Sequence, residues 1–119
     1  MSLYPVNDIM VSVCVVTYNH GKYIGTCLDH ILRQRRKFRI EILIHDDAST
    51  DGAQEVIRAY QKRYPDIIKP ILRVENQYSQ GITNISGAFN FPRAVGKYVA
   101  LTDGDDYWCD DYKLQRQVE

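Results

Sequence analysis

The chain has 119 residues, 45% apolar and 25% charged, with 15 Lys+Arg balanced by 15 Asp+Glu. That length suits one modest core, so a single domain over 1–119 is expected, and the zero net charge excludes bulk attraction to nucleic acid or membrane surfaces. No basic, apolar leader opens the chain, no apolar run nears the ~20 residues that span a bilayer, and Cys14, Cys27 and Cys109 lack CxxC spacing, which points to free thiols in a reducing cytoplasm.

In chain order, Val11-Ser12-Val13-Cys14-Val15-Val16 is β-branched and almost continuously apolar, the pattern of a strand buried on both faces of a parallel sheet. A polar turn follows, Thr17-Tyr18-Asn19-His20-Gly21. Ile24, Leu28, Ile31 and Leu32 recur at helical spacing with Cys27 beside them, which predicts an amphipathic helix over 22–35. Arg33, Arg35, Arg36, Lys37 and Arg39 gather at its C-terminal end, where they complement the helix dipole; a solvated helix end is preferred to an anion or lipid site. A second buried strand over 41–45 runs into Asp46-Asp47-Ala48-Ser49-Thr50-Asp51-Gly52. Ser49 or Asp51 can cap a helix over 53–64, with Val56, Ile57 and Tyr60 inward and Pro65 at its end. Pro70 shortens a third strand to 70–74, and 75–83 reads as a loop. Residues 84–94 form a weak helix interrupted by Gly87 and Pro92, and 97–102 form a fourth strand, its Tyr98-Val99-Ala100-Leu101 run expected to be buried. The last residues are helical in pattern without a stop signal, so a longer native protein is expected.

Alternating strands and helices imply an α/β fold: a Rossmann-like, mostly parallel sheet with helices on both faces. All strand C-termini then share one edge, which is where ligands bind such sheets. That edge gathers Thr17, Tyr18, Asn19, His20, Asp46, Asp47 and the acidic stretch Asp103-Gly104-Asp105-Asp106. At an effective dielectric of about 20, two like charges ~4 Å apart repel by roughly 4 kcal/mol. Water, protonation or a cation must relieve the crowding. Hard cations take carboxylate oxygens, and Mg²⁺ is usually shared between carboxylates and substrate phosphates. The convergence of three polar loops favours a metal–diphosphate site over an acidic turn that merely caps the next helix.

With these loops in place, the sequence resembles the N-terminal, nucleotide-binding half of the inverting family 2 glycosyltransferases, which have the GT-A fold. The stretches that carry the resemblance are residues 11–19, 46–52 and 96–106, and it extends from about Met10 to Glu119. It implies that Thr17, Tyr18 and Asn19 wall the nucleotide base, that Asp47 bonds the uracil edge, and that Asp103 and Asp105 are a D-x-D signature. Asp103 is then directed to the ribose and Asp105 to a divalent metal, Mn²⁺ or Mg²⁺, with Asp106 sharing the duty. The implied reaction moves a sugar from a nucleotide-diphosphate donor, UDP-linked by expectation, to a hydroxyl of a glycan or lipid-linked acceptor, with inversion. The catalytic base is expected beyond Glu119, so the 119-residue piece is expected to be inactive by itself. Membrane association would come through the acceptor or the missing part. The family often carries an Arg in the run that is here Ser79 to Asn90, which has none; that role is then empty or filled by Arg93, Lys97 or a later residue. A nucleotide-sugar-binding module without chemistry is the alternative. A nucleotidyltransferase fits less well, because the loop after the first strand has one glycine and one lysine rather than a Gly-rich basic run.

Bland readings are preferred for several neighbours. His45 reads as a packed strand histidine, His20 as a helix start or surface turn, and Tyr107 and Trp108 as residues that close the core. Cys109 has no histidine partner in its sequence context and is not read as a nucleophile.

Overall fold

The computed structural model describes residues 9–118. Strands β1 (Ile9–Thr17), β2 (Arg39–Asp46), β3 (Ile68–Leu72) and β4 (Tyr98–Asp103) form one sheet in the order β3-β2-β1-β4. Each neighbouring pair is parallel. Parallel pairing needs long crossovers. Helix α1 (Ile24–Leu32) supplies the first and α2 (Ala53–Arg63) the second, while an irregular segment joins β3 to β4. Thr17 pairs with Asp46 and Val16 with Asp103, so three loops leave the sheet at one level.

The period of two along each strand divides the sheet into two faces. Val11, Val13 and Val15 with Ile40, Ile42 and Ile44 pack under Ile24, Leu28, Ile31 and Ile57 from α1 and α2. Trp108 and Leu114, the latter from the short helix α3 (Lys113–Val118), close the same core. The opposite face carries Ser12, Cys14, Glu41, Leu43 and His45, all buried. Residues 84–96 cover it. Phe89 stacks on His45 with ring centroids 4.8 Å apart, and Asn90 donates to the Val15 carbonyl. Glu41 anchors the end of that cover: Ser12 Oγ, Lys69 Nζ and the Val95 N–H donate to it at 2.6, 2.9 and 2.9 Å. Burial alone would raise its carboxyl, but these donors outweigh burial and hold it below the ordinary value. Gly96 permits the close approach, since a Cβ there would lie 2.6 Å from the Ser12 nitrogen.

Several elements depart from the sequence expectations. β3 spans 68–72 rather than 70–74, with Pro70 inside it. It is an edge strand, where a residue without an N–H is tolerated. The expected helix over 84–94 is instead a π-helical turn, Ser86–Asn90, running into a 3₁₀ turn, Phe91–Arg93. Pro92 cannot donate the bond that a regular helix would need there. The expected burial of β4 does not hold: Tyr98 and Val99 are half exposed and Leu101 is 60% exposed. β4 is the other edge of the sheet among the described residues. Helix α1 is shorter than 22–35. Beyond it, the buried Gln34 side chain donates to the Asp110 carbonyl (2.7 Å) and accepts from the Leu114 N–H (3.0 Å), tying down the chain that follows the acidic loop. Of the basic cluster, Arg33 pairs with Asp111 at 3.0 Å and Arg35 lies over the Tyr112 ring, while Lys37 and Arg39 are exposed.

Candidate functional site

The three loops at the C-terminal sheet edge are bonded to one another. The Asp47 N–H donates to the Thr17 carbonyl and the Gly104 N–H to the Val16 carbonyl. Gly104 must be small, since a Cβ would lie 2.4 Å from Thr17 Oγ1. Thr17 itself is buried, its Oγ1 2.9 Å from His20 Nδ1. Asn19 sits at φ 55°, a left-handed conformation that Asn tolerates, and its carboxamide oxygen accepts from the Thr50 N–H at 2.8 Å. Ser49 Oγ accepts from the Asn19 N–H, and Asp51 accepts from Gly21 and Ala53. Asp51 therefore serves the start of α2, while Ser49 is engaged by Asp46 and Asn19. Of Thr17, Tyr18 and Asn19, it is Tyr18 that lines a cavity; the other two build the loops.

That cavity has a volume of about 450 Å³ and is bounded by Val16, Tyr18, Asp47, Asn76, Tyr78, Ser79 and Ile85. Asp47 is its one carboxylate and is only 2% exposed. Its Oδ1 accepts from the Gln77 N–H (2.7 Å) and from His45 Nε2 (3.2 Å), and its Oδ2 accepts from the Tyr78 N–H (3.1 Å). Burial pushes its carboxyl upward, but the Gln77 and Tyr78 donors with His45 outweigh burial and hold it below the ordinary value. His45 is fully buried and its imidazole is lowered by desolvation, against the opposing pull of Asp47. The neighbouring Asp46 shapes the loop instead, accepting from the Ser49 N–H and hydroxyl and from Gln54.

A second, open groove of about 830 Å³ adjoins the first, sharing Val16, Tyr78 and Ile85 with it. Asp103, Asp106 and Tyr107 line it, together with Asn84, Ser86 and Lys113. Asp103, Asp105 and Asp106 are all exposed, and a carboxylate oxygen from each can be chosen so that the three lie within 4.8 Å of one another. Such an all-oxygen set fits a hard divalent cation. His20 starts α1 as expected, its carbonyl accepting from the Tyr23 and Ile24 N–H groups, and its side chain also faces this group, Nε2 3.8 Å from Asp105 Oδ2. Trp108 is core, as expected, whereas Tyr107 is exposed on the groove wall.

Arg93, a candidate for the absent arginine, is spent elsewhere. Its guanidinium donates to the Lys69 and Ile44 carbonyls and to Asn90 Oδ1. Lys97 lies over the Tyr98 ring, at the N-terminal end of β4 and so away from the site edge. The sequence reading missed Asn76, Tyr78, Ser79 and Ile85. The one local signal was Asn76 with Ser79 three residues on, the spacing at which an Asn side chain caps a helical turn. Asn76 Oδ1 does accept the Ser79 N–H, and its Nδ2 donates to the Asp47 carbonyl.

The fold is the parallel α/β sheet of the GT-A transferases, with a buried carboxylate and an exposed acidic triad at one edge. Residues 12–119 match Glycosyl transferase family 2, and the chain belongs to that family. It is 43% identical over 111 residues to an uncharacterized glycosyltransferase of Nostoc sp., covering 92% of this chain and 32% of that protein. It is 34% identical over 111 residues to the E. coli UDP-Glc:alpha-D-GlcNAc-diphosphoundecaprenol beta-1,3-glucosyltransferase, covering 92% of this chain and 40% of that one. The fold superposes on S. aureus TarS in complex with UDP with a TM-score of 0.73 at 26% identity, covering 92% of this chain and 31% of the other. It also superposes on a Pyrobaculum calidifontis mannosyltransferase in complex with GDP-Man and Mn²⁺, with a TM-score of 0.71 at 26% identity, covering 91% and 31%. The chain thus spans roughly a third of the length of such relatives.

Proposed function

We propose that this chain is the donor-binding domain of an inverting, metal-assisted glycosyltransferase that uses a UDP-sugar. The observation that carries the choice of base is the hydrogen-bond count at Asp47. A carboxylate offers about four acceptor positions. Oδ1 has two donors and Oδ2 one, which leaves a single position on Oδ2 at the cavity. Uracil presents one imide N–H between two carbonyls, which that position can accept. Guanine presents an N–H and an amino group side by side and would leave one of them buried without a partner, at a cost of about 1–3 kcal/mol. Tyr18 offers an aromatic face to the same base.

Asp103 is assigned to the ribose, and Asp105 with Asp106 to a divalent cation, Mn²⁺ or Mg²⁺. The fit rests on the three close carboxylates. When bound, the cation neutralises charge on the departing diphosphate. The chain's own residues hold the base, fix the ribose and set the acidic loop against the first loop through Gly104. Sugar transfer to a glycan or lipid-linked hydroxyl belongs to the longer protein. The base that deprotonates the acceptor is assigned to residues beyond Glu119, so the 119-residue chain binds donor without transferring it. The work is assigned to the cytoplasm, with membrane contact through the acceptor.

Calorimetric titration of UDP, dTDP and GDP into the chain with Mn²⁺ tests the reading. UDP should bind at least ten-fold more tightly than GDP, since about 1.4 kcal/mol is a factor of ten. Thymine carries the same imide, so dTDP should also bind more tightly than GDP. Equal binding of UDP and GDP would overturn the assignment of Asp47.

A further inference from the structure

We infer that Tyr78 is a nucleoside-binding residue whose ring stacks on the base bound at Asp47, at the junction of the base cavity and the acidic groove. Tyr78 lines both spaces. The residue is 64% exposed, with a large amphipathic ring. The backbone that carries it is, by contrast, firmly held. Its N–H donates to Asp47 Oδ2 at 3.1 Å, its carbonyl accepts the Gly81 N–H at 3.0 Å, and Asn76 clamps the turn through the Asp47 carbonyl and the Ser79 N–H. A fixed backbone that presents an unpacked aromatic ring to a cavity suits a flat ligand, since only the side-chain torsions are left to order on binding. Base–aromatic stacking needs only a π face, which every base offers. The Asp47 carboxylate that would accept the base imide also holds the Tyr78 N–H, so the base edge and the ring are set by one group. The inference rests on the reading of this cavity as the nucleoside site.

The test uses uridine, which has no phosphate and no need of metal, titrated into the 119-residue chain and into Tyr78→Leu and Tyr78→Phe variants, with melting temperatures measured in parallel. The Leu variant should melt normally and bind uridine roughly ten-fold more weakly, while the Phe variant keeps its affinity. A loss in Phe as large as in Leu would mean that the hydroxyl, not the ring face, is the contact, and would overturn stacking. A second measurement needs no variant: saturating uridine should shift the Tyr78 ring-proton resonances. Unchanged affinity in Tyr78→Leu, or unmoved ring protons at saturation, would overturn the inference alone. Failure of the unmodified chain to bind uridine would overturn the nucleoside reading and this inference with it.

Discussion

Asp47 and the Asp103, Asp105 and Asp106 group lie at the same sheet edge and are the same chemical type, yet the fold treats them in opposite ways. Asp47 is buried with three donors already in place. The triad is exposed, with its carboxylates crowded together. The first is an acceptor that the protein itself orders, with three donors in place before any ligand arrives and one position left open. The second is an unfinished one: beyond His20 beside Asp105, repulsion between like charges is relieved by what comes from solution. One would be expected to carry stability and base choice together. The other would be expected to carry affinity for a cation with almost no contribution to stability.

The strongest way to break this contrast is Asp47→Asn. The amide would turn an NH₂ towards backbone donors and lose the charge that the Gln77, Tyr78 and His45 bonds serve. Bonds to charged groups are worth about 1.5–3 kcal/mol each, so unfolding in urea should show a loss of about 3 kcal/mol, with UDP binding abolished. Glu41→Gln sharpens the same point. Glu41 is buried and donor-satisfied like Asp47 but lines neither cavity, so its replacement should cost about 2 kcal/mol and leave UDP affinity in the folded protein unchanged.

A pH series separates the two regions further. His45 has a folded value below the ordinary 6.5, so as pH falls through 6.5 the unfolded chain takes up a proton that the folded chain refuses. Stability should therefore decline from pH 7 towards 5, and His45→Gln should flatten that decline. Asp47, held below its ordinary 3.8, keeps its contribution throughout that range and loses it only as pH falls through its depressed folded value. The smallest effect on stability belongs to Asp105→Asn, within about 0.5 kcal/mol of the unmodified chain.

Much of this contrast was legible in the sequence, and its limits have physical causes. Continuous β-branched runs at 11–16 and 41–45 identify the central strands because both faces are buried. Pro70 misplaced β3, since its harmlessness depends on an edge position that composition does not reveal. Leu101 looked like core because an apolar residue in a strand carries no mark of which side its neighbours lie on. At the site, Tyr18, Asp47 and the acidic triad could be read from loops that follow strands. Thr17 and Asn19 could not be told apart from Tyr18, because their directions depend on the positive φ of Asn19 and on contacts with His20 and Thr50. Tyr78 stayed hidden because its place is set by a backbone bond to a carboxylate 31 residues earlier.

The most direct measurement is calorimetric titration of UDP into the chain with Mn²⁺ and again with EDTA, for the unmodified protein and for Asp105→Ala. The expected result is binding strengthened by Mn²⁺ in the unmodified chain, with the metal-dependent part lost in Asp105→Ala and the EDTA-resistant part retained. Equal UDP affinity with and without metal, or an Asp105→Ala variant that responds to Mn²⁺ as the unmodified chain does, would contradict the division of labour between Asp47 and the acidic triad.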